Sequence, residues 1–293
     1  MRRSAGVAAL AGLLALAPLS VGAASEQGRL ASAAADMTAL MLRVGERVEQ
    51  YYDRVTSVVC IETVSQQELR FNLKPQGKPR ETVYELMVVR QPPAKGEAES
   101  HVQIERRIKS IDGRPARKYE PPGCTDPKPI TVEPLTFLLP KYQPMYRFSR
   151  ADNVPASGPP GSVVVDFQQI RKDPIEVKWD GLCFDARGGG MDGRIWLEAD
   201  THDVLQLDIR LTEAFRVPPP PGLMSEILPI RVERSEITIR FARVGFQDPA
   251  ETLLLPESMM TLTVFRGVPS MRTTQTFSGF KRFMSEAAIK GAV

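Results

Sequence analysis

From Leu205 to Thr212 every second residue is apolar: Leu205, Leu207, Ile209 and Leu211 alternate with Gln206, Asp208, Arg210 and Thr212. Side chains of a strand point alternately to its two faces, so this stretch predicts a strand with one greasy and one wet side. Ile195 and Leu197 alternate just upstream, and Glu198-Ala-Asp-Thr201 separates the two runs. The segment "DGRIWLEADTHDVLQLDIRL" therefore reads as an antiparallel hairpin with His202 at or beside its tip. The same texture recurs in "SVVCIETVSQQELRFNL", "ETVYELMVVRQ", "HVQIERRIKSI", "GSVVVDFQQI", "IEVKWDGLCF", "IRVERSEITIRFARVGF", "ETLLLPESMMTLTVFRG" and "MRTTQTFSGFKRF". Turn residues such as Asp112-Gly113 lie between these runs, where a βαβ fold would need helices. About ten strands are expected, in one large curved antiparallel sheet or incomplete barrel.

One helical pattern precedes them. Met37, Leu40, Met41, Val44, Val48, Tyr51, Tyr52 and Val55 recur at three- and four-residue spacing, which predicts a helix over 36–54 with Asp36 as its cap. Its apolar stripe must pack on the sheet. The class is thus mainly β with one long N-terminal helix (α+β). Upstream, "MRRSAGVAALAGLLALAPLSVGAAS" has a basic start, an apolar run shorter than the ~20 residues of a spanning helix, and small residues at its end. It predicts a secretory signal peptide over 1–24, cleaved near Ala23 and Ala24, with no lipid-anchoring cysteine. The expected mature chain, 25–293, is a single curved-sheet domain without an integral membrane segment, periplasmic or secreted.

Two Pro-rich inserts interrupt it, at 115–144 and 214–229. The first carries "TVEPLTFLLPKY", a candidate short helix. The second, "AFRVPPPPGLMSEILP", reads as a flap, because four successive prolines cannot join a sheet. The glycines of 186–193, "ARGGGMDG", predict a flexible loop. The apolar phase changes between Val232 and Ile237, which predicts a bulge near Arg234–Glu236.

Catalytic patterns are missing. His202 in Asp-Thr-His-Asp203 has only one other imidazole in the chain, His101, and no third ligand for a metal. Asp180, Asp185 and Asp192 lack the alternate spacing of a calcium loop. No G-x-S-x-G occurs, and the triple glycine does not open a phosphate-binding helix. The expectation is a non-enzyme with no cofactor and no metal. A net charge of +3, with lysine and arginine dispersed among the acids, argues against nucleic acid as a partner. Export makes a disulfide available to Cys60, Cys124 and Cys183. Cys60 sits in an apolar run, so Cys124–Cys183 is the favoured pair, with pairing to Cys60 or three free thiols as the alternatives.

The positive signal is apolar. A curved sheet wider than one helix leaves inner surface uncovered, and Phe167, Trp179, Trp196, Leu205, Leu207, Ile209, Ile237, Ile239, Phe241, Leu262 and Val264 are strand residues available to line a cavity there. Each methylene of a bound acyl chain would contribute about 0.8 kcal/mol. The order of elements resembles the bacterial lipoprotein-carrier superfamily (LolA/LolB-like). The hairpin is similar to that family's Gly-x-x-Trp-x-acid and Thr-x-x-Val-Leu pattern, here Gly193, Trp196, Glu198, Thr201, Val204 and Leu205, and Leu255-Pro256 resembles its entry to a late strand. The run Phe277, Ser278, Phe280, Lys281, Arg282 and Phe283 is similar to an exported branch from soil bacteria. The resemblance implies an incomplete barrel around helices, with a cavity for a lipid or lipoprotein acyl chain in the periplasm. The flap, the 115–144 insert and the cysteines depart from that pattern. Binding of a hydrophobic ligand is the first expectation. The alternative is an envelope scaffold with a filled core and a protein partner.

Overall fold

The computed structural model describes residues 21–55, 57–91, 101–117, 133–155, 158–180, 183–219 and 230–282. Its long helix, α1 (Val21–Arg54), begins well before Asp36. Alanines at 23, 24, 31 and 33–35 carry it upstream: alanine has the strongest helix propensity yet leaves no apolar stripe to read. The expected cleavage positions Ala23 and Ala24 fall in its first turn, and residues 1–20 of the expected signal peptide lie outside the described residues. The helix ends in a clamp. Arg282 donates to the carbonyl of Arg54 at 2.9 Å and to Glu251 at 2.7 Å, so an orphan helix carbonyl finds a cationic donor.

The strands are β1 (Val58–Leu69), β2 (Arg80–Gln91), β3 (His101–Ile111), β4 (Arg114–Pro115), β5 (Tyr146–Arg150), β6 (Val163–Gln169), β7 (Asp173–Asp180), β8 (Cys183–Gly189), β9 (Met191–Leu197), β10 (Val204–Leu211), β11 (Phe215–Val217), β12 (Ile230–Gln247), β13 (Ala250–Arg266) and β14 (Ser270–Arg282). Two 3-10 segments, η1 (Glu133–Leu138) and η2 (Gln143–Met145), precede β5. Twelve strands make one open sheet in the order β4-β3-β2-β1-β14-β13-β12-β10-β9-β6-β5, with β11 added to β12. Every pairing is antiparallel, and β14 returns to lie beside β1. The fold class read from alternation is the one observed.

Several local expectations fail for identifiable reasons. The triple glycine is not a loop: it joins β8 to β9, and its glycines allow backbones to meet. A Cβ on Gly188 (φ +82°) would stand 2.1 Å from the carbonyl oxygen of Pro174, and one on Gly193 1.9 Å from that of Asp208. "IEVKWDGLCF" is not one strand but the two arms of the β7–β8 hairpin, a separate two-stranded sheet. The insert 214–229 begins as sheet, with Phe215 opposite Val232, because its prolines start only at Pro218. Its residues 220–229 lie outside the described set. The register shift of β12 falls between Val232 and Arg234, one residue earlier than the phase change suggests.

The inner face of the sheet has two halves. Over β6, β9, β10 and β12 it packs against α1 and η1. Met41, Val44 and Val48 from the helix, and Leu135, Phe137 and Leu138 from η1, meet Phe167, Leu207, Ile239 and Phe241 in one core. Met259 packs on this core and lies opposite Gln275 of β14, so the same face continues over β14, β1, β2 and β3. There it carries polar groups. Glu62, fully buried, accepts from Arg106 at 2.8 Å twice and from Gln275 at 2.7 Å. Arg106 also lies 3.7 Å over the Tyr84 ring.

Candidate functional site: an apolar pocket beneath a hairpin

Beyond the area that α1 and η1 cover, the inner face continues as Met191, Ile209, Leu211, Ile237, Thr263 and Phe265. The β7–β8 hairpin lies across it, with Ile175, Phe184 and Ala186 facing inward, and Phe215 of β11 closes one side. The pocket is partly open and measures about 390 Å³, and among the described residues its polar side chains are the hydroxyls of Ser235 and Thr263. A smaller apolar space of about 230 Å³, under Phe137, Met145 and Tyr146, shares Met191 and Ile209 with it.

The hairpin is held at both ends. At its base the amide and hydroxyl of Thr212 donate to the carbonyl of Gly190 at 2.9 and 3.1 Å. At its far end the indole N–H of Trp179 donates to the carbonyl of Pro218 at 3.0 Å, and the Trp179 ring tilts against Phe184. The pocket roof is thus tied to the strand that leads into the Pro-rich insert. Trp179 serves as that tie and does not line the pocket.

The sequence-derived cavity residues divide. Phe167, Leu207, Ile239 and Phe241 belong to the filled core under α1, whereas Ile209 and Ile237 bridge that core and the pocket. The other four are elsewhere. Leu262 and Val264 pair with Glu236 and Arg234, and so lie on the outer face. One extra residue in β13, Glu257 between the partners of Arg240 and Phe241, sets this phase and turns Thr263 and Phe265 inward. Trp196 is buried on the outer side, against Gly158. Leu205 sits at the register shift between Val204 and Gln206, and Val204 takes its place in the core.

Among the pocket residues that sequence reasoning missed are Ile175, Phe184, Met191, Leu211, Phe215 and Phe265. Phe265 carried a signal, as the aromatic that ends the run Thr261-Leu-Thr-Val264. Cys60, a buried free thiol, is pushed up to about 12 by burial and then by Glu62. Cys183, at the start of β8, is not free, and Cys124 lies outside the described residues.

His202 belongs to a structural clamp. Its backbone is left-handed (φ +63°), with its N–H donating to Glu198 O at 3.0 Å. Asp203 accepts from Arg47 of α1 at 2.7 and 2.9 Å and from Arg243 of β12 at 3.3 Å, and Arg243 also reaches Glu198. The acids around the histidine thus fasten the hairpin tip to the helix. Among the described residues no three His, Cys, Asp or Glu side chains group as they would around a metal ion.

The outer face over β6, β9, β10 and β12 is a lattice of cross-strand charges, such as Asp166 with Arg194 at 2.6 Å and Asp192 with Arg210. They line a groove of about 620 Å³. Its carboxylates Asp166 and Asp192 are already paired, which suits a solvated sheet face.

The architecture is thus an open antiparallel sheet packed on one N-terminal helix, with an apolar pocket under a hairpin. No protein-family model matches the chain, and no curated protein does.

Proposed function

We propose that the chain is an exported, non-catalytic protein that holds an acyl chain, or a ligand equally apolar, beneath the β7–β8 hairpin. The pocket between Phe184, Phe215, Phe265 and Ile237 carries this reading: it is apolar, partly open and about 390 Å³, within the ~300–1,000 Å³ usual for ligand sites. Its wall offers hydroxyls but no charge, so a ligand would leave any ionic group at the mouth. The basic, apolar and small-residue order of 1–24 supports export, and an oxidising compartment would suit a Cys124–Cys183 bond, which non-reducing peptide mapping tests. The resemblance to the lipoprotein carriers supports the same ligand class.

A second reading, an envelope scaffold without ligand, is favoured by how completely α1 and η1 fill the core, where Val44, Leu138 and Leu207 have no exposed surface. Native mass spectrometry of protein purified from its own envelope separates the two. The carrier reading expects lipid masses on the intact chain, and Phe215→Asp to remove them. Bare mass in both proteins, with a delipidated chain that takes up no fluorescent fatty acid, would sink it in favour of the scaffold.

A further inference from the structure

The connection between β1 and β2, "RFNLKPQGKPR" over 70–80, contains four basic residues and no acidic one. Phe71 stands at its tip with 90% of its surface exposed, the most exposed of the large apolar side chains. Arg70, Lys74 and Lys78 are exposed around it, and none of the three is ion-paired among the described residues. The flanking acids Glu68 and Glu81 lie at the strand ends.

The loop is built, not slack. The N–H of Arg70 donates to the carbonyl of Lys74 at 2.9 Å, and that of Leu73 to Arg70 at 2.8 Å. Asn72 Oδ1 accepts from the Lys74 N–H at 3.1 Å, and Gln67 Nε2 holds the Gln76 carbonyl at 2.9 Å. Leu73 is kept in the left-handed region (φ +60°), a conformation a branched side chain adopts only when its surroundings impose it. Four backbone and side-chain bonds thus hold an aromatic ring out in water, where burial elsewhere would have been favourable. A free aromatic ringed by unpaired cations is the pattern of an interfacial anchor: the ring enters the acyl boundary while the cations meet headgroup phosphates.

We propose that this loop docks the protein on an anionic bilayer surface. Strand geometry adds a reason. Leu69 pairs with Ser270 beside the turn 267–269, and that turn ends β13, the strand that carries Thr263 and Phe265 of the pocket. The loop and the pocket therefore share one end of the sheet. Docking does not require the pocket to hold a ligand. Vesicle binding by a chain of bare mass that takes up no fluorescent fatty acid would sink the carrier reading and leave this one standing.

The test is flotation of the full chain with vesicles of phosphatidylcholine alone and with an equal part of phosphatidylglycerol. The expected result is binding to the anionic vesicles, weakening as salt rises. Phe71→Ser should weaken it about tenfold, and Lys74→Glu with Lys78→Glu on the order of 25-fold or more. Far-UV circular dichroism should show both variants folded, since every altered side chain is exposed. Equal binding to neutral vesicles, or variants that bind like the parent, would overturn the proposal. Capture on polyglutamate without vesicle binding would assign the loop to an acidic polypeptide and overturn it as well.

Discussion

The two halves of the inner face are built from the same strand alternation and buried to the same depth, but only one of them buries a polar network among its apolar side chains. Over β9, β10 and β12 the buried residues are Ile195, Leu207 and Ile239, and what covers them is a helix and a hairpin. Over β1, β2 and β14 an apolar set, Cys60, Val64, Leu86 and Phe277, shares the face with Glu62, Thr82 and Gln275, and these three polar residues have no exposed surface. Apolar side chains make no directional demand, so a cover over them can stop short and leave a pocket at modest cost. A buried carboxylate needs its donors in place, so the polar half cannot loosen without stranding a charge. The half with the weaker geometric demands is the half that leaves a pocket open beneath the hairpin.

The sharpest way to break this comparison is to remove one member of the polar network. Arg106→Ala leaves Glu62 buried without its two guanidinium bonds, and the expected loss is about 3–5 kcal/mol of unfolding free energy. Urea denaturation of Arg106→Ala, and of the pair Glu62→Leu with Arg106→Met, checks it. The double variant should recover most of the loss, because well-packed apolar residues replace an ion pair at little cost. A single variant within about 1 kcal/mol of the parent would mean that water already relieves this network.

The apolar half should respond by position. Leu207 has no exposed surface and packs against the helix side of the core. Leu207→Ala is expected to cost about 3 kcal/mol through lost transfer energy and the cavity left behind. Ile237 borders the pocket and already lacks partner atoms on one side, so Ile237→Ala should cost about 1 kcal/mol. Its larger effect should fall on uptake of a fluorescent fatty acid. Equal losses from the two substitutions would show the pocket to be as tightly packed as the core.

Much of this architecture is legible from residues alone because alternation survives wherever one face is buried and the other wet. Leu205–Thr212 is the clearest example, and the β9–β10 hairpin follows from it. Legibility stops where that contrast fades. In β13 the outward Met260, Leu262 and Val264 are more apolar than the inward Thr261 and Thr263, so alternation points the wrong way and the extra residue Glu257 decides which set turns inward. In β1 the buried set includes Glu62 and Gln66, whose partners, Arg106 on β3 and Arg80 on β2, sit on other strands. The strand character of β8 was hidden by its glycines, which read as loop by composition but serve close backbone contact with Pro174. The pocket itself depends on where α1 stops covering the sheet, a property of helix placement that no local pattern encodes.

The smallest expected effect concerns a carboxylate between the two regimes. Asp208 is half-buried on the outer face, where Asp166 and Asp192 each hold an arginine, and its own bond is to Gln206 at 3.1 Å. Burial raises its pKa above the ordinary 3.8, against the pull of bonds from Thr238 and Gln206 and the charges of Arg240 and Arg194. A raised carboxyl is held more tightly by the folded state than by the unfolded one. Its contribution to stability is therefore fully present below 3.8 and lost as pH climbs through the raised folded value. Asp208→Asn keeps the shape and most of the bonds but cannot ionise. Its Tm should exceed the parent's slightly at pH 7, and the gap should close as pH falls towards 3.8. A variant less stable than the parent at pH 7 would mean that Arg194 and Arg240 together do for Asp208 what Arg106 does for Glu62, and that the outer face, too, is held by charge.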